Sequence, residues 1–162
     1  MAHSLHAASP DFVRIYITST PDEAAALAVE LVRTGEADIL MKGLINTDNL
    51  LRAVLKKEKG LLPPGGILSH VAIAQIPLYH KLLLFSDAAV IPRPGLAQFR
   101  AMIANDIALC RKLGNEEPRV ALIHCSEKVN EKFPHTLDYV QLKEEARLGK
   151  FGTAFIDGPM DA

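Results

Sequence analysis

Apolar positions along the chain follow two periods, one typical of strands and one typical of helices. Short apolar or alternating runs predict strands, and these lie at residues 12–18, 37–41, 67–76, 82–91, 119–124 and 153–156. Apolar residues spaced by three and four predict helices, and these lie at residues 21–34, 46–59, 93–113 and 137–148. Because strands alternate with helices almost throughout, the pattern predicts an α/β fold with a largely parallel sheet.

One pair of strands departs from the parallel arrangement. Residues 77–81, which join the strands at 67–76 and 82–91, are too few for a parallel crossover, so these two strands are expected to pair antiparallel. Both strands are apolar on both faces. We therefore expect both faces to be covered, at least one of them by the helix at 93–113.

Composition narrows the classes of function. The 162 residues are 49% apolar, enough for a sizeable core, and they carry a formal net charge of −1. A near-neutral chain without a basic stripe excludes a nucleic-acid partner, and the apolar runs are too short or too interrupted to cross a membrane. Residues 1–11 show no signal-peptide pattern and are expected to be a frayed or non-native end, which leaves residues 12–162 as the folded part of a cytoplasmic protein.

Cys110 and Cys125 are the two cysteines of the chain, and without a signal peptide they are expected to be reduced. Cys110 falls on the apolar stripe of a predicted helix and Cys125 follows an apolar strand, so both are predicted to be buried. The sequence shows no Cys/His nucleophile pattern and no Gly-x-Ser-x-Gly elbow. Its six scattered histidines do not predict a zinc site.

The first candidate for chemistry is the loop that follows the second predicted strand. Lys42 leaves the strand, and Gly43 lets the backbone approach a ligand. Asn46 and Thr47 then begin a helix, whose free backbone N–H groups and dipole favour an anion. Arg52 lies further along that helix and is suited to a bidentate phosphate contact. The alternative is an ordinary strand-to-helix turn with a solvated lysine.

Two further candidates lie in or after apolar strands. Ser69 and His70 interrupt the apolar run 67–76, where a hydroxyl and an imidazole need polar partners or a ligand. Asp157 follows the last predicted strand, a position from which a carboxylate can act on a ligand. The alternatives are a satisfied core pair for Ser69 and His70 and a turn cap for Asp157.

Seven sequence blocks occur in an order that resembles phosphate acetyltransferases and phosphate butyryltransferases. The blocks are ADILMKG (37–43), NTDNLLR (46–52), LSHV (68–71), SDAAV (86–90), EEPRVAL (116–122), SEKVN (126–130) and IDGPM (156–160). The Leu-Met-Lys-Gly and Leu-Ser-His-Val runs are closer to the butyryl branch, because the acetyl branch tends to carry Ser-Gly at the position of Lys42-Gly43. The order and spacing cover residues 12 to 160.

The resemblance implies an acyltransferase that moves a butyryl or acetyl group between coenzyme A and inorganic phosphate. It implies an α/β fold of the isocitrate/isopropylmalate dehydrogenase type, with two domains, an interdomain cleft and a homodimer. Phosphate would attack the thioester directly, with no acyl-enzyme and no bound cofactor, because the coenzyme A thioester enters as a substrate. Such chemistry relies on positioning and on charge stabilisation.

By position in the motifs, the resemblance assigns roles to the candidate residues. The set expected to bind coenzyme A and phosphate is Lys42, Gly43, Asn46, Thr47, Arg52 and His70. Ser69 is expected near the thioester, and Ser69 and Asp157 are the candidate catalytic residues.

The chain departs from the family in length. Members are nearly twice as long. They continue into segments that carry a Ser-Arg pair and an Asp that serves as base on the coenzyme A thiol. These segments, and much of the family's N-terminal part, have no counterpart in this sequence. The sequence therefore predicts an incomplete two-domain protein.

Two alternatives stay open, a non-catalytic fragment that binds coenzyme A or phosphate and a same-fold enzyme with another substrate. A metal- and NAD-dependent dehydrogenase is disfavoured, since no carboxylate cluster has metal-ligand spacing.

Overall fold

The structure, a computed structural model, describes residues 13–161. Its elements in chain order are α1 (Pro21–Arg33), α2 (Thr47–Val54), β1 (Ala72–Gln75), β2 (Leu82–Phe85), α3 (Leu96–Lys112), β3 (Arg119–Ile123), α4 (Pro134–Arg147) and β4 (Phe155–Met160). They belong to two units, one ending at Pro64 and one beginning at Gly65. The predicted α/β class is confirmed, whereas the expected end at residues 1–11 lies outside the described residues. No helix within residues 13–161 has both the length and the apolar character needed to cross a membrane.

Helix α1 begins at a well-formed N-terminal cap. The Thr20 hydroxyl accepts the Glu23 backbone N–H at 3.2 Å, which satisfies a donor that the helix itself leaves unpaired. Pro21 occupies the first helical position, where its missing N–H costs no hydrogen bond. Ala25 and Val29, four residues apart, form the buried side of α1, and α1 packs against α2.

Two strands predicted in the first unit are not found in its described part. Neither residues 13–18 nor residues 37–41 adopt strand structure, and Ile39 and Met41 expose 83% and 89% of their surface. A buried strand needs a hydrogen-bonded neighbour and cover on both faces. Residues 13–64 contain no strand to pair with, so the apolar run at 37–41 lies exposed and the prediction of a buried strand there is wrong.

Strands β1 and β2 form an antiparallel pair, as predicted, with Ala72 opposite Phe85. Each strand is only four residues long, so residues 67–71 and 86–91 fall outside the ladder. Helix α3 packs against β2, which confirms the prediction that this helix covers part of the strand pair. The expectation that both faces are covered is wrong, because Ile73 and Phe85, on opposite faces, are each 48% exposed. A sheet of two short strands has too little neighbouring structure to enclose both faces.

Strands β3 and β4 pair in parallel, as predicted, but they and the β1–β2 pair form two separate two-stranded sheets instead of one largely parallel sheet. Strand β4 runs from Phe155 to Met160, so it continues past residue 156, where the predicted strand ends, and residues 157–159 lie within it. The turn-cap alternative for Asp157 is therefore wrong. Gly158 has a φ of +145°, and a Cβ there would lie 2.5 Å from the Leu122 carbonyl oxygen. Only glycine therefore allows β4 to continue alongside β3 at this point.

The core of the second unit is built from both long helices and the parallel strand pair. Its buried side chains are Ile91, Phe99, Met102, Ile103, Ile107, Leu122, Tyr139, Leu142, Ala154 and Ile156. Phe99, Ile103 and Ile107 recur at four-residue steps, which turns one face of α3 towards the core. The Phe99 and Tyr139 rings meet edge-on with centroids 5.3 Å apart, which joins α3 to α4. Helix α4 begins at Pro134, ahead of the predicted start at 137, because proline suits the first helical turn.

The two cysteines differ in exposure. Cys110 is half-buried on α3, so the prediction that it is buried is confirmed only in part. Cys125 is exposed, so the prediction that it is buried is wrong. Strand β3 ends at Ile123, and the chain leaves the sheet before Cys125, which removes the cover that a strand position would provide.

A buried carboxylate, Glu145, ties α4 to α3. Glu145 is 4% exposed, and it accepts from Arg100 Nε and Nη2 at 2.8 and 2.6 Å, a bidentate pair. Gln141 and Lys150 add contacts at 3.2 and 3.4 Å. The hydrogen bond from Arg100 lowers the pKa of Glu145 to about 2 against the opposing effect of burial. The carboxylate therefore stays charged, and its partners compensate a charge that would otherwise be costly to bury.

We expect Glu145→Gln to lower the free energy of unfolding by about 2 kcal/mol near neutral pH, because it removes charge-assisted hydrogen bonds to Arg100, whose side chain is 37% exposed. Glu144→Gln is the matched control on the same helix, since the Glu144 side chain is 60% exposed and lies 3.7 Å from Arg147. A surface pair of this kind contributes less than about 1 kcal/mol. Urea unfolding of the two variants measures the difference.

The loss of unfolding free energy caused by Glu145→Gln should also depend on pH. The folded pKa of Glu145 lies below its ordinary value of 4.5, so the stabilisation is fully present above that value and is lost as the pH falls towards about 2. The unfolding free energies of the variant and the unchanged chain should therefore converge over this range. A constant difference from neutral pH to pH 2 would contradict the assignment.

Candidate functional site

The loop before α2 carries four of the predicted substrate-binding residues. Lys42 Nζ donates to the Gly43 carbonyl oxygen at 3.1 Å. A Cβ placed on Gly43 would meet no atom within 4 Å, so a ligand can approach the backbone there. Asn46 is the N-terminal cap residue of α2 and is extended, but its side chain makes no capping hydrogen bond. The start of α2 at Thr47 is therefore open to an external acceptor, an arrangement that suits an anion.

Arg52 lies on α2 and is paired with α1. Its Nη2 lies 3.6 Å from Asp22 Oδ1, and the two side chains are 68% and 69% exposed. Asn49 Nδ2 donates to the same Asp22 oxygen at 2.5 Å. An ion pair this exposed is weak. The Arg52 guanidinium can therefore exchange Asp22 for a phosphate group of a ligand.

A group of polar residues in the second unit lies where β1 begins and β2 ends. Because the strands are antiparallel with Ala72 opposite Phe85, the segment before β1 lies beside the segment after β2. Helix α3 contributes the remaining members. The group, called the polar cluster below, consists of Ser69, His70, Ser86, Asp87, Asn105 and Asp106.

Two side-chain hydrogen bonds join the polar cluster to α3. Asn105 Nδ2 donates to Ser69 Oγ at 2.8 Å. Ser86 Oγ donates to Asp106 Oδ2 at 2.5 Å. The helix thus positions one hydroxyl from each segment that flanks the strand pair.

Asp87 organises the turn after β2. Its Oδ2 accepts the His70 backbone N–H at 2.8 Å, and its Oδ1 accepts the N–H groups of Ala89 and Val90 at 2.9 and 2.8 Å. Burial disfavours the charged form, but these bonds and one from the Ile91 N–H outweigh it and lower the pKa of Asp87 to about 2. A charged Asp87 therefore holds the Ser69-His70 segment against the turn.

The pKa of Asp106 is shifted in the direction opposite to that of Asp87. Burial raises its pKa above the ordinary value of 3.8, the Ser86 hydrogen bond opposes this by less, and the charge of Asp87 raises the pKa further. Asp106 Oδ1 and His70 Nδ1 are buried and have no hydrogen-bond partner among the described residues. Each such atom costs about 1–3 kcal/mol. The polar cluster therefore differs from the fully satisfied core pair that the sequence left open for Ser69 and His70.

Asp157 lies apart from the polar cluster and contacts α4. Its Oδ1 lies 2.6 Å from Lys143 Nζ and accepts the Gly158 N–H at 2.8 Å. The Lys143 bond, followed by the Gly158 bond, lowers the pKa of Asp157, which makes this carboxylate a weak base. Asp157 lines a cavity of about 560 Å³ whose lining does not include Ser69. Asp157 thus has an ion-pair partner on α4 and a backbone hydrogen bond within β4.

A cavity of about 1090 Å³ borders the polar cluster at Ser86 and Asp87. Two cations, Arg93 and Lys132, line it together with a further carboxylate, Asp138. Its volume slightly exceeds the usual range of about 300–1,000 Å³ for small-molecule sites, and its mixed charge suits a polar ligand. Within residues 13–161, no three His, Cys, Asp or Glu side chains are grouped so that they could hold a metal ion.

Four members of the polar cluster were not among the predicted site residues. Ser86 and Asp87 follow the apolar run of β2 directly, and a polar residue directly after an apolar strand is also what pointed to Lys42. The two residues also begin one of the blocks that resemble the family. Asp106 interrupts the apolar face of α3 just before Ile107, where a carboxylate is costly without partners. Asn105 carries no such signal, because an amide at a helix surface is ordinary.

Comparison with known proteins gives a family match along most of the chain. The protein-family model described as phosphate acetyl/butaryl transferase matches residues 16–162. The phosphate butyryltransferase of Clostridium acetobutylicum is 40% identical over 138 residues, which cover 85% of this chain and 46% of that protein. The probable phosphate butyryltransferase of Bacillus subtilis is 35% identical over 148 residues, which cover 91% of this chain and 49% of that protein. The phosphate acetyltransferase of Thermotoga maritima is 35% identical over 143 residues, which cover 88% of this chain and 48% of that protein.

A solved structure is similar over the same extent. The branched-chain phosphotransacylase from Enterococcus faecalis V583 superimposes with a TM-score of 0.76 at 34% sequence identity, covering 89% of this chain and 51% of that chain. The chain spans about half the length of the curated relatives it matches.

Asp87→Asn and Asp106→Asn are expected to change stability in opposite directions. The pKa of Asp87 is depressed on folding, so its stabilisation is present above the ordinary value of 3.8 and is lost as the pH falls towards about 2. Asp87→Asn should lower the free energy of unfolding at pH 7 by about 2 kcal/mol, the scale of a hydrogen bond to a charged group. The pKa of Asp106 is raised, so its charge is penalised as the pH rises above 3.8, and Asp106→Asn should stabilise the chain at pH 7.

Urea unfolding of both variants at pH 7 and at about pH 3 checks the two signs. Each variant serves as the other's control, because both remove one carboxylate from the same cluster. The stabilisation by Asp106→Asn should disappear at the lower pH, because the Asp106 carboxyl group is then uncharged in the unchanged chain as well. Destabilisation by both variants at pH 7 would contradict the electrostatic assignment of Asp106.

Proposed function

The chain belongs to the phosphate acetyl/butyryltransferase family, and from this we propose that the family-length protein moves a short acyl group, butyryl or acetyl, between coenzyme A and inorganic phosphate. The observation that carries the proposal is the family match from residue 16 to residue 162, a stretch that includes every candidate site residue. The activity is proposed for the longer protein because the chain spans about half the length of its curated relatives.

The proposed reaction is a direct transfer. A phosphate oxygen attacks the carbonyl carbon of the thioester, a C–O bond forms as the C–S bond breaks, and coenzyme A leaves as a thiolate that takes up a proton. Both substrates are anionic, so binding them together requires cations and N–H donors. The rate depends on holding the reactants in attack geometry and on stabilising the charge that develops on the carbonyl oxygen.

The anions are proposed to bind at the start of α2. The Lys42 ammonium is bonded to the neighbouring Gly43 carbonyl, a contact that a phosphate can replace. Asn46 leaves the helix start at Thr47 without a side-chain cap, which supports an anion at the backbone N–H groups. The exposed Arg52 guanidinium adds a two-pronged donor for phosphate or for a phosphate group of coenzyme A.

Ser69 is proposed to lie nearest the thioester. Its Oγ accepts from Asn105 Nδ2 at 2.8 Å, so its own O–H hydrogen is left to donate to the thioester carbonyl oxygen. His70 holds the segment through its backbone bond to Asp87, and its buried Nδ1 offers a further polar contact for the substrate. Loss of one such donor to a developing oxyanion commonly costs about 10²–10³ in turnover.

The wider architecture is part of the same proposal. We infer the two-domain arrangement of the isocitrate/isopropylmalate dehydrogenase type, a homodimer, and a cytoplasmic protein without a resident cofactor. Exposed apolar side chains on the β1–β2 pair, such as Ile73 and Phe85, support further covering structure in the longer protein or its partner. The free thiols of Cys110 and Cys125 fit a reducing compartment.

The family-length protein that carries this sequence is expected to release the coenzyme A thiol from butyryl-CoA or acetyl-CoA only when phosphate is present. A thiol assay with and without phosphate measures this. Residues 1–162 alone are expected to be at least about a thousandfold slower, since loss of a general base alone commonly costs about 10²–10⁴.

Ser69→Ala in the family-length protein tests the proposed hydrogen bond to the thioester oxygen. Turnover should fall by about a hundredfold with the fold retained. Lack of phosphate-dependent release from every short acyl-CoA would overturn the proposed function. Equal turnover by residues 1–162 would instead place the base within this chain.

Arg52→Ala should raise the phosphate or coenzyme A KM of the family-length protein by about tenfold or more, because a charge-assisted contact is worth about 1.5–3 kcal/mol. The thermal midpoint should hardly change, since the pair with Asp22 is exposed. Arg33→Ala is the matched control, because Arg33 pairs with Glu30 on its own helix and should affect neither quantity. A lower midpoint with unchanged kinetics would make Arg52 a structural residue.

A further inference from the structure

Three side chains after β3 form a row that the proposed acyl transfer does not use. Cys125 Sγ lies 3.7 Å from His124 Nε2, and His124 Nδ1 lies 3.1 Å from His135 Nε2. The central imidazole therefore contacts the thiol through one ring nitrogen and the second imidazole through the other. This group is called the Cys–His–His row below.

The backbone places the row at the carboxyl ends of two parallel strands, a common position for reactive groups in α/β proteins. The His124 N–H donates to the Met160 carbonyl oxygen at 2.7 Å, which anchors His124 beside the end of β4. Cys125 follows directly and is exposed. His135 comes from the first turn of α4, after Pro134. The thiol is thus accessible, while its imidazole neighbour is held by the sheet.

Aromatic packing restricts both imidazoles. The Phe133 ring lies edge-on to His124 with centroids 4.9 Å apart, and the Tyr139 ring lies edge-on to His135 at 5.6 Å. The two imidazoles meet at 74° with centroids 4.8 Å apart. These ring contacts accompany the orientation in which His124 Nε2 faces Cys125 Sγ.

This arrangement has the geometry of an activated nucleophile, in which a base contacts the nucleophile and a third group orients the base. When His124 Nδ1 carries the proton and donates it to His135 Nε2, His124 Nε2 is free to accept the thiol proton. The resulting His124 imidazolium keeps its hydrogen bond to His135, which stabilises the charge. The thiolate that remains at Cys125 is the reactive form of cysteine.

We propose that Cys125 is an activated thiol, with His124 as its base and His135 as the residue that positions the base, and that it exchanges with low-molecular-weight disulfides to form a mixed disulfide on the protein surface. Cys125 is not among the residues that line the 1090 Å³ cavity beside the polar cluster, although His135 is. This activation of Cys125 holds for the chain whether or not the proposed acyl transfer is correct.

The exchange is balanced without a further reactant. The Cys125 thiol gives its proton to His124 Nε2, and the thiolate attacks one sulfur of the incoming disulfide. A new S–S bond forms as the old one breaks, and the leaving thiolate takes the electron pair and then the proton from His124. Cys125 is oxidised, and one half of the small disulfide is reduced to a thiol.

Cys110 is a comparison thiol within the same chain. It is half-buried on α3. Burial, followed by the charge of Asp106, raises the pKa of Cys110, which keeps it as the unreactive thiol. The chain thus carries one thiol with an imidazole neighbour and one without.

The test is the rate at which the intact 162-residue chain reacts with dithiobis(nitrobenzoate), an aromatic disulfide that releases a coloured thiolate. Cys110→Ser and Cys125→Ser variants assign the rate of each thiol. We expect Cys125 to react about tenfold faster than Cys110 or more, and mass spectrometry to find the adduct on Cys125. Equal rates, or a faster Cys110, would overturn the proposal.

Two histidine positions test the roles within the row. His124→Gln should slow Cys125 by about fivefold or more, because the side chain that accepts the thiol proton is lost. His135→Phe keeps an aromatic ring but removes the acceptor, so it should also slow Cys125, and His135→Gln should recover part of the rate. The Cys110 rate in the same samples reports the fold, since a loosened core would speed it. Unchanged Cys125 rates in both His124→Gln and His135→Phe would refute the activation.

Discussion

The antiparallel register of β1 and β2 is the constraint on which the polar cluster depends. With Ala72 opposite Phe85, the ends of the two strands bring Ser69 and Asp87 to the same edge of the sheet. A slip of one residue would turn every side chain of one strand to the other face. The four backbone N–H groups that converge on Asp87 then hold this edge, because they outweigh the cost of burying its charge. A short hairpin and one carboxylate thus position the hydroxyl that the proposed reaction uses.

Helix α3 links this edge to the hydrophobic core. One face of the helix buries Phe99, Ile103 and Ile107, and the same helix supplies Asn105 and Asp106 to the polar cluster. Its second attachment is the bidentate pair between Arg100 and the buried Glu145 on α4. Two carboxyl groups that contact α3 side chains or lie on α3 therefore have opposite electrostatic surroundings. Glu145 on α4 is compensated by its partners, whereas Asp106 on α3 is penalised by burial. Within the polar cluster, Asp87 and Asp106 have pKa values shifted in opposite directions, a contrast that is typical of functional sites.

Where the structure departs from the sequence pattern, the reason is the surroundings and not the residues themselves. The run at 37–41 has the composition of a buried strand, but the described first unit has no strand to pair with it, so Ile39 and Met41 lie exposed. Asp157 was expected after the last strand, yet Gly158 allows β4 to continue past it alongside β3. Cys125 follows an apolar run but lies just beyond the end of β3. A strand is stabilised by its neighbours, and a single run of residues does not contain them.

The sequence by itself determined the elements whose signals are local. Pro21 with its Thr20 cap starts α1, the five-residue link at 77–81 imposes antiparallel pairing, and the ordered blocks from 37 to 160 indicate the acyltransferase family. The tertiary structure alone decided which distant side chains meet. Asn105 reaches Ser69, and the Cys–His–His row joins β3 to α4, through packing that no spacing along the chain records. The physical reason is that caps, turns and periodicity act over a few residues, whereas hydrogen bonds between separate elements depend on how those elements pack.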